Sequence, residues 1–144
     1  MTAYLDTSAL LKLYVDEAGS DQTWQALQGN EAGTCLITWV EAAAALARRE
    51  RELPQAQQTW SQARAGLAAD WPALHHVQVT EALVQSAAEL ATAFGLRGYD
   101  AVQLAAARAL HRALGGESFF LCFDRRLNRA AKLLGIGLPV WALM

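Results

Sequence analysis

The stretch AYLDTSALLKLYV, residues 3–15, decides how the chain is read. A brief apolar run ends at Asp6, the hydroxyl residues Thr7 and Ser8 follow, and the apolar spacing then becomes helical. A strand therefore runs into a helix with a carboxylate at the junction. The arrangement recurs: TCLITWVE (34–41) puts Glu41 four residues past a second apolar run, and FFLCFDRR (119–126) puts Asp124 directly after a third. Working outward, strands are expected near Ala3–Leu5, Thr34–Ile37, His75–Val79, Ser118–Phe123 and Pro139–Ala142, each short, apolar and bounded by turn or cap residues. Thirty alanines, many in runs such as EAAAALARRE, fill the intervals with helices. The expected spans are Ser8–Val15, Ser20–Gln28, Trp39–Glu52, Pro54–Ala69, Glu81–Phe94, Tyr99–Leu114 and Arg125–Leu134, with Gly95, Gly115 and Gly135 as stops. Strands alternating with helices imply right-handed crossovers and a mainly parallel sheet covered on both faces, a three-layer α/β/α sandwich. Residues 42–73 hold two helices with no strand between them and a break at Leu53–Pro54, which predicts a helical hairpin arm.

The 144 residues suit one domain spanning 1–144, and 53% hydrophobic with 18% charged residues excludes disorder as the main state. No apolar run approaches the ~18 residues a membrane-spanning helix needs, and neither a signal peptide nor an anchor is expected. Cys35 and Cys122 sit in apolar runs and suit a reducing cytoplasm, while the absence of CxxC and of zinc-type histidine spacing argues against zinc. Net charge is only −2, yet seven of the twelve basic residues fall between Arg97 and Lys132 against three acids there. A mildly acidic chain can thus still offer a polyanion a basic surface.

In open α/β sheets, ligands bind beyond the carboxyl ends of the strands. Asp6, Glu41 and Asp124 would converge there, and Asp100, opening a long helix after Gly95–Gly98, would join the same rim. Carboxylates gathered in one place repel unless a cation or a shared proton offsets them. An all-oxygen set suits Mg²⁺ or Mn²⁺, and such a site does phosphoryl chemistry. Each acid also has a bland role. Thr38-Trp39-Val40-Glu41 reads as a capping box, Asp124 as the N-cap of its helix, Asp100 as a first-turn partner of the helix dipole and Asp6 as the cap of the first helix. Alone, none of the four distinguishes a site from a cap.

Taken in order, LDTSALLKLYVDEAGS, TWVEAAAALAR, LRGYDAVQLAAA and FDRRLNRAAKLLG resemble the PIN-domain ribonucleases, and among them the VapC toxins of toxin–antitoxin pairs. The resemblance runs from Tyr4 to Gly135. It implies a compact α/β/α fold and a Mg²⁺- or Mn²⁺-dependent endoribonuclease whose acidic quartet falls on Asp6, Glu41, Asp100 and Asp124. Ser8 then supports Asp6, or else simply caps the first helix. The implied reaction is hydrolysis of RNA phosphodiester bonds by a cation-activated water, leaving 5′-phosphate and 3′-hydroxyl ends. The implied partners are a VapB-type antitoxin, the RNA substrate and a second copy of the toxin. Some relatives carry a further acidic or amide residue just past the fourth acid, where this chain has Arg125 and Arg126, so a second metal position would be poorly held.

Arg97, Arg125 and Arg126 flank Asp100 and Asp124 and are the candidate phosphate contacts; for Arg129 and Lys132 a solvated helix face is the better reading. Of the five tryptophans, Trp60 and Trp71 flank the expected arm and are the ones expected to be exposed, for stacking on bases or packing on a partner. His75-His76 reads as an edge pair. Two rivals remain: a phosphatase-like fold, which expects a second Asp where Ser8 stands, and a catalytically silent PIN-like module that binds RNA or a partner without cutting.

Overall fold

A computed structural model describes residues 1–144. Four strands, β1 (Thr2–Leu5), β2 (Glu31–Cys35), β3 (His75–Val77) and β4 (Ser118–Leu121), form one parallel sheet in the order β3-β2-β1-β4. Seven α-helices cover it: α1 (Thr7–Leu11), α2 (Ser20–Leu27), α3 (Ile37–Glu52), α4 (Gln57–Asp70), α5 (Glu81–Phe94), α6 (Gly98–Ala113) and α7 (Arg125–Leu133). All four residues of β1 are buried, as expected of a central strand with helices on both faces. Its side chains alternate between two cores. Ala3 and Leu5 pack with Leu10, Leu46 and Trp60 on one face, and Tyr4 packs with Leu104, Phe120 and Leu127 on the other. The three-layer α/β/α sandwich is therefore the observed architecture. Because every pairing is parallel, the carboxyl ends of β1, β2 and β4 open onto one rim.

Three expectations are corrected. The second strand is Glu31–Cys35, paired from Thr2↔Glu31 to Tyr4↔Gly33, and the chain has already entered α3 at Ile37. The apolar run TCLI straddles the turn from strand to helix, and Gly33 lets β3 and α6 approach closely, since a Cβ there would sit 3.1 Å from both His75 and Leu110. Pro139–Ala142 forms no strand. Only Gly137 bridges to Phe119, Pro139 has no N–H to offer a ladder, and Trp141 stacks on Phe123 with ring centroids 4.7 Å apart. The first helix ends at Leu11 rather than Val15, because the chain tightens into three-residue turns such as Leu13 N–H to Leu10 C=O.

The expected helical hairpin is present as α3 and α4, joined by a short turn over Pro54–Ala56. Trp60 is only 6% exposed, however, and its indole N–H donates to the Leu53 carbonyl at 3.1 Å. Trp71 is half-buried between Trp39 and His76. Trp24 and Trp39 are the exposed indoles, 53% and 45%. His75 and His76 lie on the edge strand β3, as expected.

Candidate functional site

Asp6 is the first residue past β1, and it caps α1. Its Oδ1 accepts the Ala9 N–H at 2.9 Å, Ser8 Oγ donates to its carboxylate at 3.0 and 3.2 Å, and the Cys122 thiol donates to Oδ2 at 3.2 Å. Ser8 thus supports the carboxylate, and Asp6 itself takes the cap. Burial pushes the Asp6 carboxyl above the usual carboxylate range, the charge of Asp100 adds to the rise, and the hydrogen bonds oppose it. An ionised group with its surroundings arranged in this way favours a cation nearby.

Cys122, which sits in an apolar run of the sequence, links two of the acids. Its S–H points to Asp6, and its sulfur accepts the Asp124 N–H at 3.3 Å. Burial and the adjacent Asp6 push this thiol far above its ordinary value, so it remains a donor. Asp124 is exposed and caps α7, with Oδ1 accepting from the N–H groups of Arg126 and Leu127 at 2.9 and 3.2 Å. Its Oδ2 is left free. The cap reading is correct for one oxygen and leaves the other available.

Asp100 stands in the first turn of α6, half-buried, and accepts no hydrogen bond. Burial and then Asp124 raise its carboxyl, while Arg97 and Arg126 counter them. Asp6, Asp100 and Asp124 therefore feel one another across the rim.

Glu41 does not form a capping box. Thr38 is the second residue of α3 and fully buried, and the cap position belongs to Leu36, which offers no side-chain bond. Glu41 Oε1 instead accepts from Thr7 Oγ1 at 2.8 Å and from Gln103 Nε2 at 2.6 Å, and Oε2 is left free. Gln103, Thr7 and Cys122 are the site neighbours that sequence reasoning missed. The one available signal for Gln103 was its spacing, three residues after Asp100 and hence on the same helix face.

Glu41 and Asp100 line an open groove of about 870 Å³ between α3, α5 and α6, together with Arg48, Val84, Arg97 and Tyr99. Arg126 donates to the Gly95 carbonyl at 2.6 Å, pinning the α5–α6 turn beside Asp100, and Arg97 is exposed. Arg125 reaches only toward the Leu143 carbonyl, at 3.5 Å. No three of the chain's His, Cys, Asp and Glu side chains are close enough to enclose one ion. What the rim does offer is uncommitted hard oxygen: Glu41 Oε2, Asp124 Oδ2 and both oxygens of Asp100, beside the buried Asp6. That donor set fits a cation which takes few protein ligands and keeps its waters.

The family model described as "PIN domain" matches residues 3–133. Two curated relatives from Mycobacterium tuberculosis strains, "Ribonuclease VapC45" and "Ribonuclease VapC49", are each 33% identical over 141 residues, covering 92% of this chain and 90% of the relative. Among solved structures, a toxin–antitoxin complex from Klebsiella pneumoniae aligns with a TM-score of 0.55 at 23% identity, covering 85% of this chain and 86% of that one. VapBC2 from Rickettsia felis, bound to a DNA fragment from its promoter, aligns with a TM-score of 0.65 at 13% identity, covering 98% and 99%. These two likenesses bear on the fold.

Proposed function

This chain belongs to the PIN-domain family, and from that premise we propose that it is a Mg²⁺- or Mn²⁺-dependent endoribonuclease, the toxin of a toxin–antitoxin pair. The observation that carries the reading is the rim itself: Asp6 and Asp124 past the ends of β1 and β4, Glu41 on α3 and Asp100 on α6, with Glu41, Asp100 and Asp124 each keeping an oxygen free of internal hydrogen bonds. The relatives named as ribonucleases, matched along nearly the whole chain, support RNA as the polymer cut.

When bound, the cation would lower the pKa of a coordinated water and offset charge developing on the scissile phosphate. The chain's own residues supply the geometry. Asp6 is fixed by Ala9, Ser8 and Cys122, so its carboxylate cannot swing away as the substrate arrives. Glu41 is held by one oxygen and presents the other, and Asp100 and Asp124 complete the negative rim. Arg97 and Arg126 stand beside Asp100, where they would hold a backbone phosphate and limit repulsion between the acids and the RNA; Arg125 is a more distant phosphate contact. Hydrolysis would leave 5′-phosphate and 3′-hydroxyl ends, and discrimination against DNA would rest on 2′-hydroxyl contacts and groove shape.

The solved neighbours that are toxin–antitoxin complexes support a VapB-type antitoxin as partner, and a homodimer is the proposed assembly. No helix is long and apolar enough to cross a membrane. Two free, buried thiols suit a reducing compartment, and the proposed location is the cytoplasm. The test is incubation of purified protein and Mn²⁺ with a pool of structured and single-stranded RNAs, followed by capture of the fragments by their 5′ ends. Fragments carrying 5′-phosphate are expected. Uncut RNA in the presence of folded protein returns the chain to the silent binding-module reading.

A further inference from the structure

We infer that Gln103 is the positioning residue of this site, dividing the Glu41 carboxylate into one tethered oxygen and one presented oxygen and locking it to the strand end that carries Asp6. The inference rests on the nuclease reading above for the meaning of the site, and on geometry for the role.

Gln103 is 2% exposed, in a helix otherwise lined inward with alanine and leucine. A buried primary amide is costly when its groups are unmet, and here every polar atom is met. Tyr4 OH donates to Oε1 at 2.6 Å, while Nε2 faces Glu41 Oε1 at 2.6 Å, Thr38 Oγ1 at 3.0 Å and Thr7 Oγ1 at 3.2 Å.

The direction of each bond is dictated by chemistry. An ionised Glu41 only accepts, so the amide must turn its NH₂ toward it and its oxygen toward Tyr4, whose hydroxyl must then donate. On the other branch, Thr34 Oγ1 donates to the Leu5 carbonyl at 2.7 Å. Thr38 therefore donates to Thr34 at 2.7 Å and has a lone pair left for Gln103. Each hydroxyl proton in the chain has one place, the two amide protons are shared among the three oxygens that face Nε2, and the chain ends on the peptide that joins Leu5 to Asp6. Thr7, next in sequence, gives Glu41 its second bond. One buried network thus fixes Glu41 from α3 against the Asp6 end of β1, through a residue one turn from Asp100 on α6. A glutamine serving only the core would have no need to meet a carboxylate, and leucine would fill the space without the amide.

The test uses Mn²⁺ alone as probe, titrated by electron paramagnetic resonance, on wild type, Gln103→Leu, Tyr4→Phe and the double variant. RNA cleavage (kcat and KM) and urea unfolding are measured in parallel. Gln103→Leu is expected to weaken Mn²⁺ binding ~10–100-fold, the range found when an outer partner of a metal ligand is lost, and to lower kcat more than it raises KM. Tyr4→Phe should lose affinity in the same direction but less, since the amide is then free to turn. Because Tyr4 reaches Glu41 only through Gln103, the double variant should bind Mn²⁺ as Gln103→Leu does. Wild-type Mn²⁺ affinity in Gln103→Leu overturns the inference, as do losses that add in the double variant and follow the urea midpoint. Should Gln103→Leu fail to fold, wild-type affinity in Tyr4→Phe overturns it alone. A wild-type protein that neither binds Mn²⁺ nor cuts RNA overturns the nuclease reading itself.

Discussion

Asp124 divides its work between two oxygens: Oδ1 caps α7 and Oδ2 is free for the site. Asparagine caps about as well as aspartate, whereas alanine loses ~1 kcal/mol. Asp124→Asn should therefore leave the urea midpoint almost unchanged and Asp124→Ala should lower it, while both lose most of the cleavage rate. Equal activity in Asp124→Asn and wild type would confine this residue to capping. Asp6 gives a test by pH. Its folded carboxyl is raised above the ordinary 3.8, so between those values the folded chain binds more protons than the unfolded one, and stability falls as pH rises through the window. Without divalent cation, Asp6→Asn should be more stable than wild type at neutral pH, with the advantage fading as pH drops toward 3.8; urea titrations at several pH values measure it. Asp6 and Asp124 were legible in the sequence because an Asp directly after an apolar run marks a strand end, and Asp100 because it opens a helix after a glycine turn. Gln103 and Cys122 were not, since a single amide in an alanine-rich helix and a thiol in an apolar run look like core until the fold brings Glu41 and Asp6 against them.

Most helices matched their sequence spans to within a residue or two, because alanine runs and glycine stops mark them; Gly95 ends α5 in the left-handed region at φ +63°. Strands were less legible. In a parallel sheet the ladder need not coincide with the apolar run, and EAGTC pairs while the more apolar TCLI turns the corner. Trp60 was expected to be exposed because it flanks the helical arm, yet the hairpin folds it inward onto Leu53. Trp60→Ala should cost ~3–5 kcal/mol, read as a large fall in the urea midpoint. Gly19 is the other sensitive element junction. Its φ is +92°, and a Cβ would meet the Phe123 ring at 2.7 Å, so Gly19→Ala both strains the backbone and pushes the ring that Trp141 stacks on. Its expected cost is ~2–4 kcal/mol, and a midpoint equal to wild type would show that the α1–α2 turn relaxes freely.

For the whole molecule, the layer order was legible because strand–helix alternation admits few topologies, and parallel pairing then brings β1, β2 and β4 to one rim. The site is a consequence of that topology rather than of any local motif. A cation that binds only the folded chain should stabilise it by ~2.7 kcal/mol at a hundredfold excess over its Kd. Thermal unfolding should therefore move up by several degrees with Mn²⁺ and return with chelator, and Asp6→Asn should show no such shift. The most direct test of the central claim is cleavage of a mixed RNA pool by purified wild type and Asp6→Asn, with Mg²⁺, with Mn²⁺ and with chelator. The account predicts cutting by wild type with either metal, none with chelator, and a loss of at least ~100-fold in the variant. Cutting that survives chelator, or that Asp6→Asn retains, would contradict it.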